Sequence, residues 1–81
     1  MMQFKVVSGI DPKITETFLL AQDDVQDASV WFNGNKLRAC VTLIDNSILT
    51  REDLRKACND ELGWAQTPKE IILVQSRSWA A

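Results

Sequence analysis

The chain has 81 residues, of which 46% are hydrophobic and 25% charged, and its formal net charge is −2. This length predicts one domain, spanning residues 1–81, with a small core, and the composition is ordinary for a globular protein. The basic residues are scattered and outnumbered by acidic ones, which argues against nucleic acid as a partner because phosphate neutralisation needs clustered cations.

The first predicted elements are a strand at residues 4–7 and a helix that begins after Asp11. Asp11 is a good N-cap residue, and Pro12 suits the first helical position because its missing N–H needs no partner there. Three apolar residues spaced i, i+4 and i+7 predict the inward face of this helix, and two neighbouring leucines widen it. That face consists of Ile14, Phe18, Ala21, Leu19 and Leu20.

A β-hairpin is predicted next. Asn33-Gly34 is the strongest short hairpin signal in the chain, since both residues accept positive φ. In the flanking segments, apolar residues alternate with residues of mixed polarity. Because alternate residues of a strand point to opposite faces, pairing across a two-residue turn assigns them to two faces of a sheet. The face predicted to meet the helices carries Val30, Phe32, Leu37 and Ala39. The opposite face carries Trp31, Arg38, Cys40 and Thr42.

A second helix and a last strand complete the pattern. Thr50 and Asp53 have the spacing of a capping box, and Gly63 suits the position after the helix end. The predicted inward face of this helix is Leu54, Ala57, Cys58 and Leu62. Glu52 and Lys56 are spaced i, i+4 and predict an ion pair on the outer face, where Arg51 and Arg55 also lie.

After a loop at residues 64–68, residues 69–75 predict a final strand, and the apolar run 71–74 favours an interior position for it. The expected fold class is α+β in the order β-α-β-β-α-β, a single small domain with a mixed sheet and two helices packed on one face.

The sequence shows no sign of a membrane segment or of a targeting segment. The longest apolar run, residues 71–74, is of strand length, so no membrane-spanning helix is predicted. The chain opens without a signal-peptide pattern, and we expect a cytoplasmic protein.

Cys40 and Cys58 lack metal-ligand spacing, and the absence of histidine excludes His-ligated zinc and His-based triads. The acidic residues expected to form a solvated turn rather than a metal site are Asp23, Asp24 and Asp27.

Five stretches, in order, resemble the C-terminal lid subdomain of adenylate-forming enzymes such as acyl-CoA synthetases. For example, LTREDL at residues 49–54 is similar to the family's LTEEEL, and ACVTL at residues 39–43 resembles AFVVL. No single motif is specific, and the resemblance depends on their order and spacing. The matching stretches are residues 5–20, 24–30, 39–43, 49–54 and 62–74.

The resemblance implies the family's fold, whereas the departures from it imply the loss of its chemistry. In the family the last strand is followed by ELPxTxSGK, whose lysine contacts acyl and phosphate oxygens during adenylation. Here residues 75–81 follow, and Arg77 lies too early to match that lysine. The aromatic–basic pair before the matched proline is replaced by Ala65-Gln66. The large ATP-binding domain is also absent, so we expect no catalytic residue, no metal, no cofactor and no ligase activity from this chain alone.

One residue keeps a ligand hypothesis open. Gly9 matches a family glycine beside the channel for the pantetheine arm of the thiol substrate, which implies a CoA-like ligand. The alternative is that Gly9 is a turn glycine with positive φ.

The tryptophans are the main candidates for interaction. Trp31 is predicted on the sheet face without helices, Trp64 in the loop after the second helix and Trp79 near the C-terminus. Tryptophan is enriched at binding hot spots, and a bare apolar sheet face is typical of interfaces. The interaction candidates are therefore Trp31, Arg38, Cys40, Thr42, Trp64 and Trp79. The alternative is that the C-terminal tail folds back and Trp79 covers the face.

Three functions stay open at this stage. The first is an interaction module that forms a homodimer through the bare sheet face. The second is a subunit of a split adenylate-forming enzyme that docks on a separate ATP-binding domain. The third is a binding protein for a small CoA-like ligand near Gly9.

Overall fold

A computed structural model gives the structure of residues 10–75. The described chain contains helix α1 (Pro12–Leu20), strands β1 (Val25–Asn33) and β2 (Lys36–Leu43), helix α2 (Arg51–Leu62), a short 3₁₀ turn (Trp64–Gln66) and strand β3 (Glu70–Gln75). This order confirms the predicted α+β class. The first predicted strand, at residues 4–7, lies outside the described residues. No helix between residues 10 and 75 is long and apolar enough to cross a membrane.

The three described strands form one mixed sheet in the order β1-β2-β3. β1 pairs antiparallel with β2, and β2 pairs parallel with β3. Alternate residues of β2 are buried on a single face, and Leu19 of α1 and Leu54 of α2 belong to the same core cluster as these residues. Both helices therefore pack on one face, as predicted. The last strand was predicted to be an interior strand of the sheet. Within residues 10–75, however, β3 has only β2 as a neighbour and lies at an edge.

The hairpin turn lies one residue further along the chain than predicted. Asn33 pairs with Lys36, so the turn residues are Gly34 and Asn35 rather than Asn33 and Gly34. Gly34 has a φ of 71°, and a glycine in this conformation at the first turn position is typical of a type II′ turn. The resulting change in strand pairing is an even number of residues, so every side chain stays on its predicted face.

The start of α1 is confirmed, but its inward face is not the predicted one. Asp11 caps the helix by accepting a hydrogen bond from the Lys13 N–H, and Pro12 follows at the first position. The buried residues are Thr15 and Leu19, whereas Ile14 is 48% exposed. The helix is therefore rotated by about one residue, about 100°, relative to the stripe predicted from Ile14 and Ala21.

The predicted features of α2 are confirmed except for one ion pair. Thr50 and Asp53 form the capping box, with both reciprocal hydrogen bonds present. Leu54 and Cys58 are buried, and Gly63 ends the helix with a φ of 90°. The predicted Glu52–Lys56 pair was wrong, because Lys56 Nζ lies 3.2 Å from Oδ2 of Asp60, one turn in the other direction.

A hydrogen-bond network centred on Gln66 joins the 3₁₀ turn to the start of α1. The Gln66 side chain accepts from the Asp11 N–H at 2.8 Å and donates to the Asp11 carbonyl at 3.0 Å. It also donates to Thr15 Oγ1 at 2.9 Å, and the Thr15 hydroxyl donates to the Gln66 carbonyl at 2.7 Å. Thr15 is fully buried, and burial of its hydroxyl is acceptable only because this network satisfies it. The network therefore makes the burial of Thr15, and with it the rotated position of α1, energetically acceptable.

We predict that replacing Gln66 by alanine destabilises the protein by about 1–3 kcal/mol, since three side-chain hydrogen bonds are lost and the Thr15 hydroxyl loses one partner. Urea denaturation followed by circular dichroism measures the change in the free energy of unfolding. Gln26 is exposed in β1 and provides the matched control. Gln26→Ala should change stability by less than about 0.5 kcal/mol. Equal effects of the two substitutions would contradict a specific role of Gln66.

Candidate functional site

The sheet face without helices is the first candidate surface. Strand register places Trp31 beside Arg38 and Arg38 beside Glu70, and it pairs Cys40 with Ile72 and Thr42 with Val74. Because alternate residues of a strand point to opposite faces, all of these side chains lie opposite the buried set of β2. We define the open sheet face as Trp31, Arg38, Cys40, Thr42, Ile72 and Val74.

The open sheet face carries exposed apolar side chains among polar ones, because the strand register also places Asp27, Ser29 and Asn33 of β1 and Lys36 of β2 on it. Trp31 is 38% exposed, and Ile72 and Val74 are also exposed. Cys40 and Thr42 of the central strand are half-buried beneath their neighbours. Trp31 on β1 and Ile72 and Val74 on β3 lie on either side of the central strand, and exposed apolar side chains on one sheet face are typical of a surface that binds another apolar surface.

One ion pair joins β2 to β3 on the open sheet face. Arg38 Nε lies 3.0 Å from Oε1 of Glu70, and the two residues are neighbours across β2 and β3. The Glu70 side chain is more than half exposed, so solvent screens the pair and its contribution to stability is small. Arg38 Nε is itself buried, and its N–H has no well-aligned acceptor among the described residues. The contact is therefore an ion pair without a directed hydrogen bond.

The second candidate surface is a cleft of about 570 Å³ beside α2. One wall is the outer side of the helix, formed by Glu52, Arg55, Lys56 and Asn59. The other wall is the segment that follows the helix, formed by Trp64, Thr67, Pro68 and Lys69. We call this surface the α2 cleft. It is separate from the open sheet face, because α2 packs on the opposite side of the sheet.

Trp64 and two cations dominate the α2 cleft. Trp64 is 72% exposed, and Lys69 Nζ lies 5.3 Å from the centre of its ring, within the range of a cation–π contact. The Arg55 guanidinium donates to the Lys69 carbonyl at 3.3 Å. The sequence predicted Arg55 only as a residue of the outer face of the second helix, and its convergence with Trp64 and Lys69 was not predicted. The helical spacing of the cations gave no signal for it, since the cleft forms only when the loop folds back along the helix.

The structure brings four of the six predicted interaction residues together. Trp31, Arg38, Cys40 and Thr42 share the open sheet face, whereas Trp64 lies in the α2 cleft. The remaining candidate, Trp79, lies outside the described residues, as does Gly9, the residue behind the CoA-like ligand hypothesis.

The acidic turn is used for structure in the described part of the chain. Asp24 has a φ of 72°, its carbonyl accepts from the Ile44 N–H at 2.8 Å, and its carboxylate accepts from the Ser47 hydroxyl at 3.0 Å. No group of three or more potential metal-binding side chains occurs between residues 10 and 75. Asp24 therefore joins the start of β1 to the loop after β2.

The two cysteines have different environments. Cys58 is fully buried in the core, as predicted, and Cys40 is half-buried on the open sheet face. Burial disfavours the charged thiolate and raises the pKa of the Cys58 thiol from its ordinary 9.0 to about 11. Cys58 is thus a small apolar core residue and a poor nucleophile.

The fold is shared with solved enzymes. An amide bond synthetase from Marinactinospora thermotolerans matches 80% of this chain with a TM-score of 0.73 and 26% identity. A benzoate CoA ligase from Burkholderia xenovorans matches 85% with a TM-score of 0.69 and 26% identity. An acyl-CoA synthetase from Brucella canis matches 78% with a TM-score of 0.70 and 24% identity. No protein-family model matches the chain, and no curated protein does so in sequence.

These neighbours are adenylate-forming enzymes, and they confirm the resemblance drawn from the sequence. The match covers 14%, 16% and 13% of the three enzymes respectively, so the chain corresponds to a small part of each. The chain has the fold of a subdomain of adenylate-forming enzymes, consistent with their C-terminal one.

The buried thiol of Cys58 predicts a specific loss of stability at alkaline pH. The native state keeps the proton up to a pKa of about 11, whereas the unfolded state releases it near 9.0. The contribution is therefore complete below pH 9 and is lost as the pH rises from 9 to 11. At pH 10 the loss is about 1.4 kcal/mol. Urea denaturation at pH 8, 9 and 10 measures it.

Cys58→Ala should lower stability at every pH but flatten this decline. Cys40→Ala is the matched control and should keep the decline of the unmodified protein. The same alkaline decline in Cys58→Ala as in the unmodified chain would contradict the assignment of the titration to Cys58.

Proposed function

We propose that this chain is a non-catalytic, lid-like domain that acts as a protein-interaction module and self-associates through the open sheet face. The observation that carries the proposal is the exposure of Trp31, Ile72 and Val74 on the side of the sheet that no described helix covers. Burial of these side chains against a second copy removes apolar surface from water. The sequence has no histidine, and Cys58 is buried in the core with a raised thiol pKa.

The dimensions of the open sheet face predict a weak dimer. Three strands about 4.8 Å apart and about six residues long form a surface of roughly 15 Å by 20 Å, or about 300 Å² per copy. Two such faces bury less than the 1,200 Å² or so that is typical of stable complexes. We therefore expect monomer and dimer to exchange at micromolar to millimolar concentrations.

The structural neighbours support a second candidate. The chain matches only 13–16% of the three enzymes described above, so a lid-like domain of this kind is suited to docking on a separately encoded ATP-binding domain. The open sheet face or the α2 cleft would then contact that domain. This split-enzyme function differs from self-association in its partner and in its dependence on ATP.

We predict that the protein approaches twice its 9.2 kDa mass as its concentration rises, and that Trp31→Asp and Ile72→Asp keep it monomeric. A carboxylate on the open sheet face would have to be buried without a partner in the dimer, which is strongly unfavourable. Sedimentation equilibrium over micromolar to millimolar concentrations measures the mass. Circular dichroism checks that the variants are folded.

Trp64→Asp is the matched control, because it places the same charge on an exposed tryptophan in the α2 cleft. It should leave the dimer unchanged. A constant monomeric mass at millimolar concentration, or equal disruption by Trp64→Asp, would contradict self-association through the open sheet face.

A separate assay distinguishes the split-enzyme candidate. The chain alone should give no carboxylate-dependent exchange of pyrophosphate into ATP. The same assay is then repeated with an adenylate-forming enzyme from which the equivalent subdomain has been deleted. Under the proposed interaction module the added chain restores no activity. Restored activity that is saturable in the chain would replace that proposal by the split-enzyme function.

A further inference from the structure

The α2 cleft has an electrostatic character opposite to that of the whole chain. The sequence carries a net charge of −2, yet the cleft is lined by Arg55, Lys56 and Lys69 against the single carboxylate of Glu52. Lys56 is already paired with Asp60. Arg55 and Lys69 have no carboxylate within ion-pair distance among residues 10–75. Arg55 and Lys69 thus face the same cleft without an acidic partner in the described part of the chain.

The walls of the α2 cleft are fixed by the fold. The Thr67 hydroxyl donates to the Gly63 carbonyl at 2.9 Å, and Pro68 is fully buried. The Lys69 N–H donates to the Leu37 carbonyl at 2.9 Å, which anchors the segment to β2. The backbone that carries Trp64 and Lys69 is therefore held in position before any ligand arrives, which lowers the entropic cost of binding.

We infer that the α2 cleft binds an acidic segment of a partner protein, in which carboxylates flank an apolar side chain. The carboxylates pair with Arg55 and Lys69, and the apolar side chain lies against the exposed ring of Trp64. Arginine can hold a carboxylate through two hydrogen bonds, and Trp64 is a largely exposed residue of a type that is enriched at binding hot spots. Two cations are too few for nucleic acid, whose binding depends on many phosphate contacts.

The inference is independent of the proposed self-association, because the α2 cleft lies on the other side of the sheet. The test uses the full ¹⁵N-labelled chain and a synthetic eight-residue peptide with four carboxylates around a central leucine–phenylalanine pair. Saturable shifts are expected in the Trp64 indole N–H and in the amides of residues 52–59 and 64–69. The shifts should weaken with added salt. The peptide in which glutamine and asparagine replace the acids should bind at least about tenfold more weakly.

Variants locate the contact. Lys69→Glu and Arg55→Glu should each weaken peptide binding at least about tenfold, since a cation that attracts the peptide becomes an anion that repels it. Lys13→Glu makes the same charge change on the exposed side of α1 and should leave binding unchanged. Well-dispersed amide spectra confirm that each variant is folded. Trp31→Asp should still bind the peptide, which separates this test from that of the dimer.

Three results would overturn the inference. They are equal binding of the acidic and amide peptides, shifts confined to the open sheet face, and unchanged binding by Lys69→Glu and Arg55→Glu. Saturation of the cleft by inorganic phosphate, with no further shift on addition of the peptide, would also overturn it in favour of a phosphorylated ligand.

Discussion

The packing of β2 determines the rest of this structure. One face of the strand is completely covered, since Leu37, Ala39, Val41 and Leu43 are all buried. Both helices contribute to that single core, so neither described helix remains for the other face. Because both described helices lie on one side of the sheet, the open sheet face has no helix over it within residues 10–75. The candidate interface is a direct consequence of how the core is built.

The sequence predicted the elements that depend on local chemistry. The capping box at Thr50 and Asp53, the Asp11 cap and the alternation along β2 each involve neighbours in the chain, and the structure confirms them. The inward face of α1 was not predictable from its own residues. Apolar spacing favoured Ile14, but the buried position belongs to Thr15, because a glutamine far along the chain satisfies its hydroxyl. A periodicity argument cannot include a hydrogen-bond partner that distant.

The two candidate surfaces also differ in how far they could be predicted from the sequence. The residues of the open sheet face could be assigned from strand alternation, which holds even though the hairpin turn was placed one residue too early. The α2 cleft could not be assigned from the sequence, since Arg55 on the helix and Lys69 after it come together only in the folded structure. The resemblance to adenylate-forming enzymes gave the fold, and the solved neighbours confirm it. The surfaces of this chain supply the arguments for what it binds.

The Gln66 network also has a consequence for how the domain is made. It joins residues 55 positions apart, so during synthesis the start of α1 leaves the ribosome long before its partner exists. A nine-residue helix is too short to persist by itself in water. The closing of a loop of this length is entropically unfavourable and slows folding. The hydrogen bonds between α1 and Gln66 can therefore form only after most of the chain has been made, whereas the packing of α1 against the next element, β1, can form earlier.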